Sequence, residues 1–209
     1  MIEVTHFTDP GCPWAYSAGP ALTTLRWRYG DGLRWTLVTI GLTEDRRQYA
    51  DRGYSPIRAA IGWRTTFERF GMPFAFTPKA GLSATAPACR AIVAVRLDVP
   101  GAVRYTAPSL VFQTGGRRLE AGGFQPVEAY DVVVANLDTV LARREPPADP
   151  VEVLAAFAHP LASAEVAAVM TPHLGAADLL GVETALIEAV GAGRAVRTAA
   201  GNSSLWSLA

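Results

Sequence analysis

The chain has 209 residues, half of them apolar and 18% charged, which describes a globular protein long enough to bury one large core or two small ones. Its 19 basic and 19 acidic side chains cancel, so the whole chain offers no electrostatic attraction to nucleic acid or to an acidic membrane surface. Residues 1–150 carry 17 basic against 14 acidic side chains and residues 151–209 carry 2 against 5, so the acidic excess lies towards the end of the chain. The opening residues, interrupted by Glu3, His6 and Asp9, do not read as a leader, and no apolar run reaches membrane-spanning length. Two widely separated cysteines do not make a disulfide scaffold, and the expectation is a cytoplasmic protein.

Residues 2–8 read as a strand and lead into Pro10-Gly11-Cys12-Pro13-Trp14-Ala15-Tyr16, where an apolar helical stretch opens and runs to about Tyr29. Pro13 suits a first helical position, since its missing N–H has no partner there anyway. A thiol at that helix start faces unpaired backbone N–H groups and the helix dipole, which predicts a lowered Cys12 pKa and a nucleophilic thiolate. Residues 33–40 read as a second strand, so the first forty residues predict a βαβ unit with a parallel strand pair. Residues 41–54 read as loop. A helix is predicted over about 56–70, with Ile57, Ile61, Phe67 and Phe70 at helical spacing, and ends before Gly71 and Pro73.

After an irregular stretch at 72–84, a further helix is predicted from about Thr85 to Leu97, stopping before Pro100 and Gly101. Ala107-Pro108-Ser109 enters a short apolar strand, and Thr114-Gly115-Gly116 turns it into a hairpin with residues 117–120. Pro126 to Arg144 reads as one long helix, and Glu145-Pro146-Pro147-Ala148-Asp149-Pro150 as a linker. Beyond it, residues 151–157, 162–169 (Ser163 as N-cap) and about 179–193 predict three helices, followed by a hairpin from Arg194–Thr198 and Leu205–Leu208 with Trp206 plugging its core.

Cys12-Pro13-Trp14, the helix start Thr85-Ala86-Pro87-Ala88-Cys89-Arg90 and Ala107-Pro108-Ser109 together resemble the DsbA family of thiol–disulfide oxidoreductases. More narrowly, they resemble its cytoplasmic branch, which includes 2-hydroxychromene-2-carboxylate isomerase-like and kappa glutathione-transferase-like proteins. The resemblance covers about residues 1–144 and implies an α/β, thioredoxin-like (DsbA-type) domain with a helical insertion at about 55–100 that is shorter than usual. Residues 145–150 are the expected linker, and 151–209 are similar to a small winged-helix-like α+β domain.

The resemblance assigns Cys12 as the attacking thiol and Pro13 and Trp14 as its groove. It assigns Pro108 as the family's cis-proline, which with Ala107 presents backbone to substrate. Thr85 and Cys89 lie on the substrate or resolving side. The family's second active-site cysteine is Ala15 here, so intramolecular resolution of a mixed disulfide is lost. An external low-molecular-weight thiol then becomes the expected co-substrate, with no tightly bound cofactor, and a protein or small-molecule disulfide the expected substrate. Tyr16, Phe74 and Phe76 are further groove candidates, although core packing is preferred for Tyr16. Arg64, Arg90 and Lys79, the last being the only lysine, are candidates for binding the carboxylate of a thiol cofactor. His6 and Asp9 precede the motif and read as structural.

The three histidines have no metal-like spacing, and no phosphate-binding loop is present. DNA binding by residues 151–209 is not expected, because the last predicted helix offers Glu183, Thr184 and Glu188. Packing, dimerisation or protein recognition is the expected role there. Two further readings are a non-catalytic peptide-binding or adaptor protein and a thiol-cofactor-dependent isomerase or transferase.

Overall fold

The computed structural model describes residues 1–94 and 106–209. Strand β1 (Ile2–Thr8) pairs in parallel with β2 (Leu33–Thr39) and antiparallel with β3 (Ser109–Thr114), which pairs antiparallel with β4 (Arg117–Gly122). The order β2-β1-β3-β4, with one parallel and two antiparallel contacts, is the thioredoxin-like arrangement expected of a βαβ unit followed by a hairpin.

Alternation along β1 buries Ile2, Val4 and His6 on one face. Leu22, Leu25 and Tyr29 of α2 (Gly19–Tyr29) and Tyr130, Val134 and Leu137 of α6 (Val127–Leu137) complete that core with Leu110 and Phe112. His6 is buried there with no hydrogen-bond partner for either ring nitrogen among the described residues.

Several elements differ from the sequence expectation. The first helix is two: α1 (Pro13–Ser17) and α2, with Ala18 between them. Pro20 supplies no N–H and its ring would meet the Tyr16 carbonyl in a continuous helix, so the path breaks one turn before it. The loop after β2 contains a short helix, α3 (Arg47–Asp51). Helix α4 (Pro56–Phe70) turns Ile57 and Ile61 to solvent, each 63% exposed, and faces inward through Ala60 and Thr66. Helix α5 (Ala86–Ala94) starts at the expected place, whereas the stretch through Leu97, Pro100 and Gly101 lies outside the described residues.

Helix α6 stops at Leu137 rather than Arg144. The Asp138 carboxylate takes the N–H groups of Val140 and Leu141, an Asx-type turn that redirects the chain. Leu141 then packs on the first core, and the Arg144 N–H donates to the Arg28 carbonyl at 2.7 Å.

The remaining residues form α7 (Pro150–Ala155), β5 (Leu161–Ala162), α8 (Ser163–Met170), α9 (Leu179–Gly191) and the hairpin β6 (Ala195–Ala200) and β7 (Ser203–Leu208). β7 lies between β5 and β6, and β5 is a strand that the sequence did not suggest. Trp206 is fully buried in a second core with Leu154, Leu161, Val166 and Leu186. Ser163 is not the N-cap of α8; Ala162 is, and the Ser163 hydroxyl accepts the Trp206 indole N–H at 2.9 Å.

Helices α2 and α8 join the two cores. Trp27 of α2 is buried in the second core, and the Glu165 carboxylate accepts both the Ala162 N–H (2.9 Å) and the Thr23 hydroxyl (2.7 Å). A buried cluster lies close by: Asp131 accepts from Arg28, from the Tyr29 hydroxyl at 3.0 Å and from Arg143 at 3.3 Å.

Burial, with the nearby Arg26 charge adding to it, holds the His6 pKa down at about 4. The unfolded chain therefore takes up a proton near pH 6.5 that the folded chain refuses, and stability falls as pH drops from 6.5 towards 4. Denaturant titrations are expected to lose about 1.5 kcal/mol to this group between pH 6.5 and 5. His6→Leu is expected to flatten the stability profile in that window.

Candidate functional site

Cys12 caps α1 in an extended conformation, with Pro13 as the first helical residue. Its thiol donates to the Ala107 carbonyl at 3.6 Å, and the Ala107–Pro108 peptide is cis. The element that closes the third side is α5, reached through Thr85.

One carboxylate ties these pieces together. Asp9 is buried and accepts the Gly11 N–H (2.6 Å), the Leu42 N–H (2.8 Å) and the Thr85 hydroxyl (2.5 Å), while its carbonyl takes the Cys12 N–H at 3.0 Å. Close packing matches this bonding: a Cβ on Gly41 would sit 2.1 Å from the Ala86 Cα, so only glycine lets the segment after β2 lie against the start of α5.

Cys12 is buried, and its pKa is raised, not lowered as the helix start alone predicts. Burial is the largest cause; the backbone N–H groups of Ala15 and Trp14 pull it down, and the Asp9 carboxylate pushes it up again. Five residues of helix do not offset the loss of water around the sulfur.

Cys89 is 2% exposed, and it and Cys12 are both free thiols. Its pKa is likewise raised by burial and by Asp9, against a weaker opposite effect of Thr39. Ala15, one turn beyond Cys12, is buried and carries no chemistry.

A pocket of about 250 Å³ opens beside Cys12. Cys12, Pro13, Tyr16, Trp63, Phe74 and Lys79 line it, together with Pro10, Gly11, Pro73 and Ala75. Tyr16 meets Phe74 edge to face at 5.1 Å, Trp63 stacks near-parallel to Phe74 at 6.5 Å, and the Lys79 ammonium lies 4.9 Å from the centre of the Trp63 ring.

The site residues divide as follows. Cys12, Pro13, Phe74 and Lys79 meet at the pocket, and Ala107 meets the thiol. Trp14 does not line it: its ring packs edge-on against Phe70 and Phe124, at 5.8 and 6.3 Å. Tyr16, expected in the core, is 42% exposed at the pocket because the break after Ser17 leaves it on the last free turn of α1. Arg64 pairs with Glu68 and Arg90 with Glu44, so neither guanidinium lines the pocket. Phe76 is not among its lining residues. Trp63 of α4 was missed, and no local signal marks it, since its contacts with Phe74 and Lys79 exist only in the folded chain.

The wall at Phe74 has an unexpected support. The Asn202 side-chain carbonyl accepts the Phe74 N–H at 3.2 Å, and the Asn202 N–H donates to the Phe74 carbonyl at 3.3 Å. The turn between β6 and β7 thus grips the pocket from the far end of the chain. Gly201 allows this approach, with a φ of +57° and a would-be Cβ 2.5 Å from the Phe74 carbonyl oxygen.

No protein-family model and no curated protein matches the chain. Among solved structures, it is similar to a presumed protein disulfide isomerase from Nitrosomonas europaea, at 18% identity and a TM-score of 0.44 over 66% of this chain and 96% of that one. It is also similar to a probable DsbA oxidoreductase from Streptomyces coelicolor, at 14% identity and a TM-score of 0.42 over 70% of this chain and 93% of that one. Among the described residues, no group of His, Cys, Asp or Glu side chains is arranged to hold a metal ion, and no helix is long and apolar enough to cross a membrane.

Asp9→Asn removes the charge that raises Cys12 and replaces one of the two acceptor oxygens with an amide donor. The variant is expected to lose about 1–3 kcal/mol of stability. The pH midpoint for Cys12 alkylation, which in the parent lies above that of an exposed cysteine, is expected to move down. Thr85→Val loses a hydrogen bond but keeps the charge, so it is expected to lower stability without that downward move.

Proposed function

We propose that the chain is a DsbA-like thiol–disulfide exchange protein acting through Cys12 alone, in the direction of disulfide reduction, with an external low-molecular-weight thiol as co-substrate. The observation that carries the reading is the Cys12 thiol against the Ala107 carbonyl at the mouth of an aromatic pocket, with alanine where a resolving thiol would stand. In the first step the Cys12 thiolate attacks one sulfur of the substrate, forming the Cys12–substrate disulfide and expelling the other half as a thiolate. The external thiol then attacks the substrate-side sulfur, freeing Cys12 and carrying away the new disulfide. Cys89 has no part in this cycle. Its burial and its place off the pocket lining favour a packing role.

On this reading, residues 1–144 form the exchange domain, 145–150 the linker and 151–209 a winged-helix-like module, and the setting is a thiol-rich cytoplasm. The module's α9 exposes Leu180 and Ile187 beside Glu183 and Glu188, which favours a protein partner or a second copy over DNA.

Cys12→Ser is expected to abolish reduction of a small disulfide, and Cys89→Ser to leave it intact. Without added thiol, the parent is expected to stop after one equivalent with a mixed disulfide on Cys12, detectable by intact-mass measurement. Turnover is expected to resume when a small thiol is supplied. Release of both substrate halves with a Cys12–Cys89 disulfide left on the chain, seen by intact mass and prevented by Cys89→Ser, would show internal resolution instead.

A further inference from the structure

We propose that the pocket beside Cys12 selects small aromatic disulfides carrying an anionic group, with Lys79 as the residue that reads the charge. The inference rests on the reading of Cys12 as an exchanging thiol and adds the class of molecule it meets.

Three observations converge on that class. The walls are the rings of Tyr16, Trp63 and Phe74, two of them near-parallel and the third edge-on, which favours a flat apolar body over a polar chain. The volume, about 250 Å³, falls just below the range of about 300–1,000 Å³ that takes drug-sized ligands, so the site suits a small molecule.

The charge is one-sided. Lys79 is the only charged residue lining the pocket, and it makes no ion pair among the described residues. Arg64 and Arg90 are held by Glu68 and Glu44. The Lys79 ammonium therefore rests on the face of Trp63 with its charge free for a ligand.

The step balances without any further reagent. The Cys12 proton goes to solvent, and its thiolate attacks one sulfur of an aryl disulfide. The Cys12–aryl disulfide forms as the original S–S bond breaks, and its electron pair leaves with the other aryl thiolate.

The test compares two aromatic disulfides on the full chain under single-turnover conditions: dianionic 5,5′-dithiobis(2-nitrobenzoate) and uncharged 4,4′-dithiodipyridine. Cys12→Ser supplies the baseline. Lys79→Ala is expected to slow the dianionic probe up to about fivefold more than the uncharged probe, the upper end of an exposed ion pair. Lys79→Arg is expected to keep the parent rate, and added salt to slow the dianionic probe only where the cation is present. Trp63→Ala is expected to slow both aromatic probes relative to bis(2-hydroxyethyl) disulfide. If Lys79→Ala slows both probes equally, or neither, charge selection is overturned while Cys12 exchange stands. If Cys12 reacts with neither probe, the exchange reading falls and this one with it.

Discussion

The Asp9 carboxylate is the constraint on which the candidate site depends. Its hydrogen bonds draw in the backbone before Cys12, the segment leaving β2 at Leu42 and the Thr85 hydroxyl at the entry to α5. These segments are distant in sequence and would otherwise present unpaired polar groups to a buried space. Losing the carboxylate strands two N–H groups and a hydroxyl, each worth more as an unmet donor than as a made bond. The same negative charge acts on both thiols, raising Cys12 and Cys89 alike. Structural closure and thiol reactivity are thus linked through one side chain: what holds the site together also adds, after burial, to the upward push on its sulfur's pKa.

A second dependence runs between the two cores. Trp27 leaves the first helical layer to sit in the second core, with its indole N–H on the Glu145 carbonyl at 2.9 Å. Glu165 returns the connection by accepting the Thr23 hydroxyl, and Asn202 reaches from the hairpin turn to both backbone groups of Phe74. Since Phe74 is a wall of the pocket, the acidic end of the chain contributes to the site without lending it a catalytic group. An accessory module that only docked elsewhere would not place a turn there. The approach needs Gly201 at a positive φ beside a main-chain carbonyl, a narrow requirement for a loop with no further purpose.

The framework was legible in the sequence because it is written locally. The strand-like runs, the Cys12-Pro13 helix start and the proline before β3 each mark their own elements, and the resemblance supplies the arrangement that joins them. The site was legible only in part. The stretch to Tyr29 reads as one helix, and the break at Ala18, ahead of Pro20, is what leaves Tyr16 at the pocket. Trp14 follows Cys12 almost directly, but a helix carries residues two apart to different sides, and its ring goes to Phe70 and Phe124. Trp63, Asn202 and the Asp9 bonds are long-range pairings with no periodic trace. The expected low thiol pKa failed for a different reason. Motif context reports the dipole and the N–H groups, whereas burial, the larger influence, exists only once the chain is folded.

The direction of that shift bears on what a lone Cys12 would do. Strongly oxidising dithiol proteins owe their potential to a stabilised thiolate, which makes the reduced form the preferred one. Burial and Asp9 withhold that stabilisation here, so on the proposed reading Cys12 gives up electrons more readily than it takes them. In a disulfide between Cys12 and an acidic aryl thiol, the aryl group is the better leaving group and Cys12 the poorer one. Substrate disulfides with acidic thiols are therefore opened readily, while a thiol attacking the substrate-side sulfur must expel the less willing partner. On the proposed reading, resolution is the half that carries the poorer leaving group. On that reading it is also the half for which Ala15 leaves the chain without a reagent of its own next to Cys12, which is the place for an external thiol.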